Sequence, residues 1–351
     1  AERELLSAVK IHNPESAVAV VMDPDSGDVL AMVSWPWFDP NEPGDSPEGH
    51  RKNRVISSVY EFGSVMKPLT VAAALESGSI EPDTVYNCHQ GAWRIGGRTV
   101  HDTHGYGNLN VAEIVEKSSN IGVAQIGLDM GAKTFYSYLA DLGFGRRTGI
   151  RLPGETSGLL RPLSRWNEYS VVSVSFGQEL AITPLNITRA FCAIANGGWL
   201  VQPRVATRVE NPETGETLYS APSPRKRTRI FSRETTRQVI NMMVQVVETG
   251  TGTPAQLEDY AVGGKTGTAQ LLRPDGRGYS HSRFLASFIS LAPAGDPRAV
   301  VLVSVKNPRQ NGYYGSVAAA PACSDIMQKT LDYLKVPPNP NLASAEEEEN
   351  G

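Results

Sequence analysis

YAVGGKTGTAQLLRPDGRGYSHSRFLASFISLAPAGDPRAVVLVSVKN, residues 260–307, reads as three strands in succession. The runs 260–272, 283–294 and 299–307 are rich in β-branched and aromatic residues, and Gly, Pro and Asp punctuate them as turns do. The turn APAGDP (292–297) suits an antiparallel pair. Working outward, SAVAVVMD, the turn DPDSGD and DVLAMVS read as a hairpin over Ser16–Val33 near the other end of the chain. Helical patterns fill the space between. SVMKPLTVAAALES (64–77) carries apolar residues at helical spacing and stops at Gly78, a C-cap candidate. Residues 108–198 are predicted to be mainly helical, 233–248 (RETTRQVINMMVQVVE) form an amphipathic helix, and a last helix runs from about 316 to 334. Two strands at one end and three at the other predict one sheet completed by both ends of the chain. The middle, about 80–230, is then a helical insertion packed beside it, giving an α/β (α+β) architecture with its cleft where block meets sheet.

Bulk properties narrow the function classes. The 351 residues are 40% hydrophobic and 20% charged with a net charge of −4, so no basic face argues for nucleic acid. No apolar run approaches the roughly 18–20 residues of a membrane span. Cys88, Cys192 and Cys323 are scattered without metal-ligand spacing and are expected to be buried free thiols. The Pro-rich then acidic end, 337–351, is expected to be a disordered tail.

Three short patterns carry chemistry. In Ser64-Val65-Met66-Lys67-Pro68, Pro68 fits a helix best in its first turn, so the helix should start close to Ser64 and place its hydroxyl at the positive end of the dipole. The i, i+3 spacing puts Lys67 on the same face, and burial or a second cation would let it give up its proton and activate the serine. Alone this is weak, since roughly one SxxK is expected by chance in such a chain. Ser118-Ser119-Asn120 interrupts the helical block with poor helix formers, which predicts a junction facing something polar. Such a junction can relay a proton through Ser118 and orient an amide through Asn120. Gly263-Gly264-Lys265-Thr266-Gly267-Thr268 lies on a strand, where the glycines would allow an extended substrate along the edge. Lys265 supplies positive charge, Thr266 and Thr268 hydroxyls suit a carboxylate, and the Thr268 and Ser64 backbone N–H groups can make an oxyanion hole. The ordered triplet SxxK, SxN, KTG is far more specific than any one part.

With these motifs, the chain resembles the transpeptidase domain of class B penicillin-binding proteins, in the septal (FtsI/SpoVD-like) branch, over nearly everything from Ser16 to about Val336, which implies a transpeptidase domain over 1–336. The likeness rests also on GDVLAMVSWPWFDPN, NRVISSVYEFGSVMKP, VEKSSNIGVAQI, SFGQELAITPLN, ETGTGTPAQ and GGKTGTAQ. It implies the penicillin-binding/transpeptidase-like (serine β-lactamase-like) fold, a five-stranded antiparallel sheet flanked by helices plus a helical subdomain. By position, Ser64 resembles the acylated nucleophile, Lys67 its base, Ser118 and Asn120 the second motif, and Lys265, Thr266, Gly267 and Thr268 the third. The resemblance further implies a D,D-transpeptidase acting on peptidoglycan stem peptides ending in D-Ala–D-Ala, inhibited by β-lactams and needing no cofactor or metal. It also implies partners among divisome membrane proteins and a glycosyltransferase, with the domain on the outer face of the bacterial cytoplasmic membrane and its anchor outside this sequence. One departure is Phe62, where the family often has Pro, and it should alter loop packing more than chemistry.

Rival readings share the fold: a β-lactamase, for which Glu168 would be the deacylating base, a D,D-carboxypeptidase, or a binding-only sensor or scaffold. A P-loop fails because Asp259 stands where its first Gly belongs, GTGTPA at Gly250 lacks the strand and third Gly of a dinucleotide site, and His101-Asp102-Thr103-His104 reads as a polar turn rather than a metal site.

Overall fold

The computed structural model describes residues 1–221, 228–273 and 275–338, so most of the predicted acidic tail, from residue 339 on, lies outside the described residues. Five strands form the main sheet: β1 (Ser16–Met22), β2 (Val29–Trp35), β3 (Gly263–Leu272), β4 (Tyr279–Ala292) and β5 (Ala299–Lys306). Their order is β3-β4-β5-β1-β2 and every pairing is antiparallel, so both ends of the chain do complete one sheet. β1 is buried along its whole length because its two faces enter two cores. Val18, Val20 and Met22 join the larger core and Ala17, Ala19 and Val21 the smaller one. A strand covered on both faces reads as a continuous apolar run, and period 2 divides its side chains between the layers. β4 is longer than expected: it starts at Tyr279, which still pairs with Leu272 across a register irregularity that sets it off from the regular pairing at Phe284.

The helices longer than four residues are, among the described residues, α1 (Glu2–His12), α2 (Lys67–Glu76), α3 (Val111–Glu116), α4 (Asn120–Met130), α5 (Ala132–Asp141), α6 (Glu168–Ser175), α7 (Pro184–Ala195), α8 (Arg233–Glu248) and α9 (Ala320–Tyr333). α1 and α9 cover the face of the sheet that holds the smaller core, whereas α2 to α8 build the larger one on the other face. α8 matches the amphipathic stretch in full, starting at a Ser232 cap that accepts from the Thr235 N–H. Between residues 80 and 230 the structure adds short two-stranded ribbons, including Ala92–Ile95 with Arg98–His101 and Arg208–Glu210 with Thr217–Ser220. Their two- to four-residue strands are too short for a periodic signal. All three cysteines are free and buried. Among the described residues no helix is long and apolar enough to cross a membrane.

Candidate active site

β3 is an edge strand, and the turn that carries Ser64 lies against it. Gly63–Met66 forms a 3-10 turn that runs directly into α2, with Pro68 in the first turn of that helix. The α-helix thus starts at Lys67, three residues later than Ser64, and the Lys67 N–H bonds back to the Ser64 carbonyl. Ser64 is half-buried while its neighbours Gly63, Val65 and Met66 are buried, so it is the accessible residue of this turn.

The third-motif glycines are also required by the protein's own packing. A Cβ on Gly267 would stand 2.6 Å from the Phe62 carbonyl oxygen and 2.7 Å from Val65, and one on Gly264 would meet Phe288 at 2.6 Å and Val247 at 2.8 Å. These glycines admit the protein's own packing, and at Gly267 the neighbour is the turn that carries Ser64. Gly267→Ala is expected to destabilise the fold by about 1–3 kcal/mol through overpacking and to slow acylation of Ser64, both read by denaturant unfolding and probe labelling. Wild-type values in both would contradict this packing account.

Ser118 and Ser119 form the junction between α3 and α4. Ser118 adopts φ 60, a left-handed conformation that non-glycine residues seldom hold. That turn brings its hydroxyl between two amines: Lys67 Nζ at 3.1 Å and Lys265 Nζ at 3.0 Å. Lys67 also donates to the Ser118 carbonyl. Its hydrogen bonds thus go to Ser118, not to Ser64, although sequence spacing alone placed it beside Ser64. Lys265 additionally reaches the Thr266 carbonyl at 3.1 Å and the Thr266 hydroxyl at 3.3 Å.

Both lysines are fully buried, at 0% exposure, without a carboxylate bonded to either amine. Burial, reinforced by the Lys265 charge, holds Lys67 well below the ordinary lysine range. Burial pushes Lys265 down to about 7. A consistent assignment makes Lys67 the neutral amine, accepting the Ser118 O–H and donating to the Ser118 carbonyl, while protonated Lys265 donates to the Ser118 oxygen.

The other anticipated residues lie close by, each with a partner within the protein. Asn120 is the first residue of α4 and its amide donates to the His101 carbonyl at 2.8 Å. Thr266 shares a 2.9 Å hydroxyl bond with Thr251, and the Thr268 hydroxyl accepts from the Gly315 N–H at 3.0 Å. Three positions were missed as parts of this cluster. Asp102 accepts from the Ser119 hydroxyl (2.6 Å), Asn120 N–H (2.5 Å) and Ile121 N–H (3.1 Å), so it caps α4 and holds the SxN segment. Its signal was the HDTH string, where a lone Asp gives no hint of a partner 18 residues on. Thr251 lay inside ETGTGTPAQ, and Gly315 had no local signal. Glu168, the residue a β-lactamase reading would need, is exposed in the first turn of α6.

Residues 17–328 match the family described as penicillin binding protein transpeptidase domain. A relative named probable peptidoglycan D,D-transpeptidase PenA, from Neisseria flavescens, is 37% identical over 97% of this chain and 81% of its own. Stage V sporulation protein D of Bacillus subtilis (strain 168) is 37% identical over 97% of the chain and 53% of its own. Peptidoglycan D,D-transpeptidase FtsI of Escherichia coli (strain K12) is 33% identical over 96% and 55%. The chain therefore spans about half the length of these last two. The structure of penicillin-binding protein 3 from Mycobacterium tuberculosis complexed with aztreonam superposes with a TM-score of 0.89 at 32% identity, covering 97% of this chain and 78% of that one. Sheet order, motif geometry and these likenesses agree, and the chain belongs to the penicillin-binding protein transpeptidase-domain family, in its FtsI- and SpoVD-like class B branch.

Proposed function

We propose that this chain is a peptidoglycan D,D-transpeptidase working through a Ser64 acyl-enzyme. The observation that carries the reading is the Ser118 hydroxyl held between two buried amines beside the Ser64 turn. Ser64 attacks the carbonyl of the D-Ala–D-Ala amide, and neutral Lys67 takes the Ser64 proton as the new C–O bond forms. That proton passes by way of Ser118 to the departing D-Ala nitrogen as the C–N bond breaks. An amine of a neighbouring stem peptide then displaces Ser64 and restores its hydroxyl. Lys265, with Thr266 and Thr268, meets the terminal carboxylate of the donor, Gly267 keeps β3 close to the nucleophile turn, and Asn120 orients the donor amide. The backbone N–H groups of Ser64 and Thr268 serve the oxyanion.

β-Lactams occupy the donor position, acylate Ser64 and leave slowly. The catalytic unit runs over 1–336, with about 80–230 as its subdomain. Septal wall synthesis on the outer side of the cytoplasmic membrane, alongside divisome proteins and a glycosyltransferase, is the setting this reading entails. The test is a donor peptide ending in D-Ala–D-Ala with a D-amino acid as acceptor amine. Release of D-Ala with matching formation of exchanged peptide, lost in Ser64→Ala, supports transpeptidation. D-Ala release without exchange makes the protein a carboxypeptidase, and no release at all overturns the enzyme reading.

A further inference from the structure

Glu61 lies three residues before the nucleophile. Tyr60 and Phe62 on either side of it are buried in the larger core, so the alternation of an extended segment turns Glu61 the other way. Its half-buried carboxylate accepts two hydrogen bonds from distant parts of the chain: the Tyr279 hydroxyl at the start of β4, at 2.7 Å, and the Glu179 backbone N–H, at 2.9 Å. Burial and the nearby Glu179 charge raise its pKa, and these two donors oppose that rise.

Residues 60–63 run beside 177–182. Tyr60 and Ile182 exchange both backbone bonds, at 2.9 and 3.0 Å, and the Gly63 N–H bonds to the Gly177 carbonyl at 3.3 Å. The approach is so close that a Cβ on Gly177 would fall 2.2 Å from the Gly63 oxygen. Glu179 itself sits at φ 61, a strained conformation for a side-chain-bearing residue, and persists only if its surroundings hold it. Its side chain is fixed by Arg161 and Ser170, and its N–H by Glu61. The Glu61 carboxylate is thus the joint between the Ser64 turn, the strained 177–179 turn pressed on Gly63, and the end of β4.

We propose that Glu61 is a positioning residue for acyl transfer: through these two bonds it fixes the 177–179 turn against Gly63 and so sets where the Ser64 oxygen stands. The inference rests on the reading of Ser64 as nucleophile. Small displacements of a nucleophile are costly, a 1 Å error reaching about a hundredfold in rate, so the effect should fall on the acylation step rather than on binding.

The experiment measures the acylation rate constant k2 and the pre-acylation constant Ks for a fluorescent penicillin, with peptide mapping of the labelled residue. In Glu61→Ala, k2 is expected to fall about ten- to a hundredfold with Ks within about threefold of wild type. Glu61→Gln, whose amide can accept from Glu179 and donate to the Tyr279 oxygen, should restore k2 to within about threefold. Tyr279→Phe should slow k2 on its own, and combining it with Glu61→Ala should add little, because both remove one joint. An alanine variant that acylates as wild type, or a double variant whose losses multiply, overturns the proposal. If Glu61→Ala does not fold, Tyr279→Phe decides alone: a k2 lowered about threefold or more supports the joint, and an unchanged k2 removes it. Absence of label at Ser64 in the wild-type protein would instead be a failure of the nucleophile reading.

Discussion

Lys67→Ala is expected to reduce the rate of Ser64 acylation by about 10²–10⁴-fold, the span that removal of a positioned base produces, while the protein stays folded. The size follows from burial. Lys67 is shut off from water and holds its pKa well below the ordinary range because desolvation and the neighbouring Lys265 charge both disfavour a second cation. An amine in that state is a ready proton acceptor at neutral pH, which an exposed lysine is not. Stability should not suffer in proportion, since a buried amine with no carboxylate partner costs the folded state what an apolar side chain would not. Lys67→Met, which keeps most of the volume, is therefore the companion variant and is expected to melt no lower than wild type. Labelling by a fluorescent penicillin alongside thermal unfolding checks both. Acylation at the wild-type rate in the two variants would remove Lys67 from the role of base.

Lys265→Ala should also lose acylation, by about ten- to a hundredfold. A hydrogen bond to a charged group contributes about 1.5–3 kcal/mol, and the donor carboxylate loses that partner while Ser118 loses one of its two amines. The sharper signature is the pH profile. Lys265 is pushed down to about 7 in the free protein, so second-order acylation should decline as pH rises above about 7 and the charge is lost. Lys265→Arg, which keeps its charge throughout, should abolish that alkaline decline. The linkage to stability has the opposite direction. Between about 7 and 10.5 the unfolded chain holds a proton that folded Lys265 has released, so unfolding free energy rises with pH there. The cost of burying the charge is complete below about 7. An alkaline limb that survives in Lys265→Arg would assign it to another group.

Much of this arrangement can be read from local sequence, and the reason differs by element. β1, β5 and the later part of β4 (residues 285–292) are legible because strands buried on both faces must be largely apolar, and α8 because its apolar stripe and Ser232 cap lie within one short window. Ser64, Lys67, Ser118 and Lys265 are legible as motifs, yet which amine faces which hydroxyl is not. The i, i+3 spacing aimed Lys67 at Ser64, while the left-handed turn at Ser118 draws both lysines to itself. Asp102, Thr251 and Glu61 reach the site through partners 15 to 218 residues away, a separation at which no periodicity or spacing carries information. The glycines of β3 show the reverse limit. Their presence signals a close approach, but only the fold reveals that the approaching group at Gly267 is the Phe62 carbonyl.

The central claim is that Ser64 is the acylated residue and that its reactivity depends on the two amines around Ser118. Intact-mass spectrometry of the protein mixed with penicillin, followed by peptide mapping, addresses it most directly. The expected result is one adduct per chain on the peptide carrying Ser64, formed quickly in wild type, absent in Ser64→Ala and strongly slowed in Lys67→Ala. An adduct on any other residue, or one that forms in Ser64→Ala, would contradict it.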